Sequence, residues 1–161
     1  MPTFSIDVKR TTHIDVAKLA ARLNSEPKAV KVGFPAGKVG GDIVQRAIWN
    51  HYGTRGGASG GGWGGPIPPR PFLSNAMRAN RGKYRAAMRA GARDALMGSS
   101  SLTQVVSKLG ILAQGDIQGE ITSLRSPPNS PVTIRRKGSS NPLIDTGQMR
   151  QSVTWKLEDK A

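Results

Sequence analysis

The sequence predicts an α+β protein in which a small mixed β-sheet packs against two long helices and several shorter helices, with long Gly-rich and Pro-rich loops. Three observations lead to this prediction. Apolar residues alternate with polar ones near both ends of the chain, they recur at helical spacing between those ends, and glycine or proline clusters separate the two kinds of segment. The 161 residues fit a single domain, 1–161.

The first 53 residues predict a strand, a helix, a second strand and a second helix. Apolar side chains alternate over residues 3–9 and again at 30, 32 and 34, and the crossover between these strands would be right-handed if they are parallel. Thr12 is expected to cap the helix between them, which Pro27 ends. Asp42 is expected to cap the helix over about 42–52, and Gly53 to end it in a left-handed conformation.

The middle of the chain predicts two long helices. Residues 72 to about 96 are rich in alanine and lack proline, and they follow an extended stretch at 67–71. Ser101 and Gln104 form a capping box for the second helix, which Pro127 ends. Gly110, Gly115 and Gly119 are poor helix formers, so we expect them to allow another element to approach closely, with a kink near Gly115.

The last third predicts a long loop and a closing strand. Residues 126–141 are polar and proline-rich, and a short strand over 132–134 would interrupt them. Val153, Trp155 and Leu157 alternate with polar residues, which predicts a strand with a buried tryptophan.

The composition of the chain indicates which partners it could bind and excludes some kinds of site. The formal net charge is +14, and no Asp or Glu occurs between Ile43 and Arg93. Such a field attracts nucleic acids and acidic protein surfaces alike. There is no cysteine, so disulfides and thiolate metal sites are excluded. No signal peptide and no run of 18 apolar residues is present, so neither export nor membrane insertion is expected.

Two segments are candidate partner-binding elements. The glycine tract at about 54–66 is predicted to be a flexible loop, or a loop that becomes ordered only in an assembly with Trp63 as its anchor. The helix over 72–96 carries arginines every three or four residues, which puts them on one face without compensating acids. The predicted contact residues are Trp63, Arg70, Arg78, Arg81, Arg85, Arg89, Arg135, Arg136 and Lys137.

Few residues of the chain match known catalytic or metal-binding motifs. Asp145-Thr146-Gly147 behind two apolar residues is the local signature of a retroviral-type aspartic protease, but only 14 residues follow Gly147, too few for a flap and the remaining strands. We therefore expect Asp145 to cap a turn together with Gln148. His13 and His51 have no partners at metal-ligand spacing, and His51 is expected to contact carbonyls at a helix end. No catalytic, cofactor or metal residue is predicted.

Nucleic-acid binding is the alternative function. A net charge of +14 and an arginine stripe could neutralise several phosphates. Three Trp, two Tyr and three Phe are few aromatic side chains on which nucleic-acid bases could stack, and no DNA-binding motif is present. The contact would therefore not read the nucleic-acid sequence.

Three phrases of the sequence together carry a resemblance to a known family. The first is Ile48-Trp49-Asn50-His51-Tyr52-Gly53-Thr54, in which His51 replaces a commoner acidic residue, and the second is Ile67-Pro68-Pro69-Arg70-Pro71-Phe72-Leu73. The third joins Pro127-Pro128-Asn129-Ser130-Pro131, Thr133, Lys137-Gly138, Pro142-Leu143-Ile144-Asp145-Thr146-Gly147-Gln148-Met149 and Ser152-Val153. In this order and spacing the phrases resemble the neck, or tail-completion, family of long-tailed bacteriophages, also called minor tail proteins, and the resemblance covers roughly residues 30 to 157.

The resemblance implies a structural protein of the virion without catalysis or cofactor. It implies a homo-oligomeric ring, six-fold or twelve-fold, at the head–tail junction, assembled in the bacterial host cytoplasm. The implied partners are a head-closure or connector protein, a tail terminator or tail tube protein, and genomic DNA that passes through the channel. The arginine stripe would face either that DNA or an acidic face of a neighbouring ring; of the two, an acidic protein face is the expectation, because a cationic channel would retain sliding DNA.

Overall fold

The computed structural model describes residues 16–26, 29–55 and 66–158. Within these ranges the helices are α1 (Val16–Ser25), α2 (Gly41–Tyr52), α3 (Phe72–Ala79), α4 (Arg81–Leu96), α5 (Leu102–Ser123), α6 (Pro131–Lys137) and α7 (Gln148–Gln151), and the strands are β1 (Ala29–Gly33) and β2 (Thr154–Glu158). This mixture of helix and strand confirms the α+β class. The strand predicted at 3–9, the Thr12 cap, His13 and Trp63 lie outside the described residues.

The sheet of the described residues has two strands, taken from distant parts of the chain. β1 and β2 pair antiparallel, with Val30 opposite Leu157 and Val32 opposite Trp155. Both strands were predicted from alternation. The predicted mixed sheet depends on a further strand at residues 3–9, which lie outside the described residues.

The helix α5 lies under this sheet, and Gly110 sets the distance between them. A Cβ added at Gly110 would lie 2.8 Å from a ring carbon of Trp155 and 2.9 Å from Cγ2 of Val30. The predicted close approach is therefore confirmed at this glycine. It is wrong at Gly115 and Gly119, where an added Cβ meets nothing within 4 Å, because these two positions face outward.

Three differences from prediction in the first half lie at helix ends. The N-cap of α2 is Gly40 rather than Asp42, whose carboxylate pairs instead with Arg46 at 2.8 Å. Gly53 does end α2, but its φ of 79° and ψ of 177° lie outside the left-handed helical region. The predicted helix over 72–96 is two helices, because Asn80 leaves helical geometry and its side chain donates to the Ala76 carbonyl at 3.0 Å.

The segment 126–141 contains a helix where a short strand was expected. Ser130 accepts a hydrogen bond from the Thr133 amide, Pro131 occupies the first turn, and Gly138 ends the helix in the left-handed conformation. These local end signals outweigh the β-propensity of residues 132–134. The cap of α7 is Gly147, so the capping role predicted for Asp145 is wrong.

The core lies between α3, α5 and the C-terminal segment. Phe72, Ile117, Ile121 and Val153 are 0 to 1% exposed. The capping box that starts α5 is present, with both hydrogen bonds between Ser101 and Gln104 formed. α5 is the central helix of the described fold, and α3, α4 and both strands pack against it.

Candidate docking surface

Arg70 joins the three sequence phrases in space. Its side chain is buried, with the residue 2% exposed. Its Nε donates to the Pro127 carbonyl at 2.7 Å, and its Nη2 donates to the Pro128 carbonyl at 3.0 Å and to Asn129 Oδ1 at 3.2 Å. A longer contact of 3.4 Å runs from Nη1 to Asn50 Oδ1. The guanidinium thus ties α2 and the segment before α3 to the turn before α6.

No carboxylate hydrogen-bonds to this buried cation among the described residues, so carbonyl dipoles solvate it instead. Burial lowers the pKa of Arg70, but a guanidinium is so strong a base that the group stays charged near neutral pH. The partner-contact role predicted for Arg70 does not fit this burial. Cations are mostly exposed in folded proteins, so the sequence gives no sign of this burial.

Asn141 holds the other end of the same segment. Its Oδ1 accepts hydrogen bonds from the amides of Leu143 and Ile144, both at 3.0 Å, and its Nδ2 donates to the Thr122 carbonyl at the end of α5. Lys137 donates to the Asn141 carbonyl at 3.0 Å. Both ends of segment 126–141 are therefore anchored, and α6 is presented between them.

A cleft of about 920 Å³ opens beside Arg70, and we call it the Arg70 cleft. Its lining comes from α2, from the extended stretch 66–70 and from α6 with its flanking turns. Val132 of α6 is 64% exposed at this cleft. The lining residues are Asn50, Pro66, Ile67, Pro68, Arg70, Pro128, Asn129, Ser130, Val132, Thr133, Arg136, Lys137 and Pro142.

The charge of the cleft is positive, because Arg70, Arg136 and Lys137 line it and no carboxylate does among the described residues. Lys137 is half-buried, and burial lowers its pKa; Asp145 opposes this shift and Arg70 adds to it. The cleft therefore suits a partner segment that carries negative charge and a small apolar contact for Val132.

The exposed predicted contacts fall into two groups. Arg135 and Arg136 lie exposed on α6, beside the cleft, while Lys137 is half-buried there. The remaining arginines lie away from the cleft lining, on α3 and α4, and are exposed: Arg78, Arg81, Arg85 and Arg89. Sequence reasoning missed Asn50, Asn129 and Val132, since only the packing around Arg70 brings them together.

His51 lies in the core and does not make the predicted contact with carbonyls at the end of its helix. It is 7% exposed, and its ring packs edge-on against Phe72 with centroids 5.4 Å apart. Nε2 lies 3.5 Å from Ser74 Oγ, whereas Nδ1 is buried without a hydrogen-bond partner in the described part of the chain. Burial lowers the pKa of the imidazole.

Asp145 is exposed in a second, smaller cleft together with Arg46 and Lys137. It is the only carboxylate of that lining within the described ranges, whereas an aspartic protease requires two. The described residues also contain no group of three His, Asp or Glu that could hold a metal ion. None of the helices in these ranges has both the length and the apolar character needed to cross a membrane.

Comparison of the chain with protein-family models, with curated proteins and with solved structures found no match in any of the three.

Proposed function

We propose that this chain is a structural protein of a bacteriophage virion, a neck or tail-completion protein that forms a ring at the head–tail junction. In that role it joins the DNA-filled head to the tail as a head–tail connector. One observation carries the proposal: the three phrases that resemble the neck family, although up to 79 residues apart in the chain (from 48 to 127), meet around Arg70.

This arrangement supports an assembly role because it combines a rigid support with an open surface. The buried guanidinium fixes the turn before α6, and α6 then presents exposed Val132 and cationic side chains to solvent. A ring closes when the same heterologous contact repeats around an axis, so each subunit needs two complementary patches, and the cleft with α6 would supply one of them. The proposed partners are further copies of the chain, a head-closure or connector protein, and a tail terminator or tail tube protein.

The glycine tract at 54–66 is proposed as a second docking element, with Trp63 as its anchor. Residues 54, 55 and 66 of this tract belong to described segments, and Pro66 borders the Arg70 cleft. The proposed place of action is the virion, after assembly in the bacterial host cytoplasm.

Ring formation can be tested on the purified chain. We expect rings of six or twelve subunits in negative-stain images and the corresponding mass in light scattering, either alone or when tail-less heads are added. Val132→Asp should prevent assembly, because it places a carboxylate and removes an apolar contact at the cleft.

The matched control is Ile111→Asp. Ile111 is 60% exposed on α5, close to the 64% of Val132, but it lies outside the cleft lining. Both variants should unfold at the same temperature as the parent. A chain that stays monomeric with and without heads, or equal loss of assembly in both variants, would contradict the proposal.

A further inference from the structure

The helix α4 buries only a narrow stripe of its surface. Tyr84, Ala87 and Gly91 are half-buried and Ala95 is buried, and their spacing of 3, 4 and 4 residues places them on one side of the helix, which packs against α5. Gly91 lies so close to Val105 that a side chain has no room there. The rest of the surface of α4 is open to solvent.

Four arginines form a row on this open surface, which we call the arginine face: Arg81, Arg85, Arg89 and Arg93. At four residues per step the guanidinium groups are spaced about 6 Å apart along the axis, about 18 Å from first to last. All four are exposed, and none pairs with a carboxylate in the described ranges. Asp116 of α5 is already bound by Lys83 at 2.7 Å and by the Tyr84 hydroxyl at 2.9 Å.

The residues between these arginines decide which polyanion fits. Gly82, Ala86 and Ala90 are exposed and small. Met88, 41% exposed, is the one large apolar side chain exposed between Arg81 and Arg93, because Tyr84 is half-buried; Leu96, 50% exposed, lies beyond the row at the end of the helix. Protein interfaces are built around apolar and aromatic side chains at their centre. A phosphate backbone is bound mainly by cationic contacts and needs no such centre. This composition favours nucleic acid over an acidic protein surface.

The length of the row also fits a duplex. About 18 Å corresponds to roughly five base pairs at 3.4 Å each, over which one strand offers a phosphate per step. No Asn, Gln or carboxylate stands between Arg81 and Arg93 to read a base edge.

We infer that the arginine face binds the phosphate backbone of double-stranded DNA without reading its sequence. This inference goes beyond the proposed ring, since it requires only a folded subunit with α4 exposed. It also reverses the expectation that these arginines meet an acidic protein face, because Met88 is the one large apolar side chain exposed between Arg81 and Arg93.

The probe is a fluorescein-labelled duplex of about 20 base pairs of mixed sequence, titrated by anisotropy between about 50 and 200 mM NaCl. The arginine-face variant replaces three of the arginines by glutamine: Arg81→Gln, Arg85→Gln and Arg89→Gln. The control variant replaces three exposed cations elsewhere: Arg55→Gln, Lys108→Gln and Lys156→Gln. Each variant lowers the net charge from +14 by three, to +11.

For the parent, the logarithm of the binding constant should fall linearly with the logarithm of salt concentration. Loss of three phosphate contacts should reduce the slope by about 2.7 and weaken binding about tenfold or more, whereas the control variant should stay within about threefold of the parent. Circular dichroism should show all three proteins equally folded. A second duplex of unrelated sequence should bind within about threefold of the first.

Three results would overturn the inference. The first is no binding of the parent at the lowest salt. The second is an equal loss of affinity in both variants, which would reflect net charge alone. In the third, poly-glutamate would compete as well as an equally charged length of DNA and would lose binding in the same variant, and the arginine face would then serve an acidic protein.

Discussion

Replacing Arg70 by methionine should lower the free energy of unfolding by about 2–4 kcal/mol. The guanidinium makes three hydrogen bonds of 3.2 Å or less, and each such bond from a charged donor contributes about 1.5–3 kcal/mol. The cost of burying a cation cancels several kcal/mol of that sum. Methionine removes the donors, leaves the carbonyls of Pro127 and Pro128 without these partners, and recovers only part of the apolar packing.

The assay is urea unfolding followed by circular dichroism, together with amide hydrogen exchange over segment 126–141. Exchange should accelerate at the amides of Ile134 and Gly138, because the turn that positions α6 loses its attachment. Arg78→Met is the matched control, since Arg78 is exposed on the next helix, and it should change stability by less than about 0.5 kcal/mol.

Arg70→Lys gives a second measure. A lysine keeps the charge but lacks the planar fork that reaches Pro127, Pro128 and Asn129 at once, so an intermediate loss is expected. The proposed anchoring by Arg70 is refuted if the free energies of unfolding of Arg70→Met and Arg78→Met differ by less than about 0.5 kcal/mol and hydrogen exchange in segment 126–141 is unchanged.

Three further predictions test the packing. Gly110→Ala should destabilise the protein by about 1–3 kcal/mol in urea unfolding, since its Cβ would meet Trp155 at 2.8 Å. Gly115→Ala, in open space on the same helix, should stabilise it by about 1 kcal/mol. Equal effects of the two substitutions would contradict the role of Gly110. Ser101→Ala should cost about 1 kcal/mol by breaking the capping box, and an unchanged midpoint would exclude that role. Burial lowers the pKa of His51, so as the pH falls below about 6.5 the unfolded chain takes up a proton that the folded chain does not. The free energy of unfolding should therefore drop by at most about 1.4 kcal/mol per pH unit from this group. A His51→Phe variant with the same dependence of stability on pH would refute this role of His51.

The local elements were predictable because their causes are local. The capping box at Ser101, the alternation that became β1 and β2, and the end of α2 at Gly53 all depend on side chains a few residues apart. The errors arose where two local signals competed. At residues 132–134 the Ser130 cap and Pro131 prevailed over β-propensity, and Asn80 divided a helix that composition alone favoured.

The candidate site was only partly predictable. The arginines of α4 and α6 could be named from sequence, because exposed cations at helical spacing follow from periodicity. The cleft beside Arg70 could not, since its walls come from segments joined only by tertiary contacts, such as Asn50 and Asn129 on the same guanidinium.

The sequence by itself determined the α+β class, the positions of most helices and both described strands, and a large positive charge. Only the tertiary structure decided the direction of strand pairing, the close approach at Gly110 and the burial of Arg70. The physical reason is the range of the interactions. Caps and periodicity act within about four residues, whereas the bonds of Arg70 to the turn before α6 join residues 57 to 59 apart.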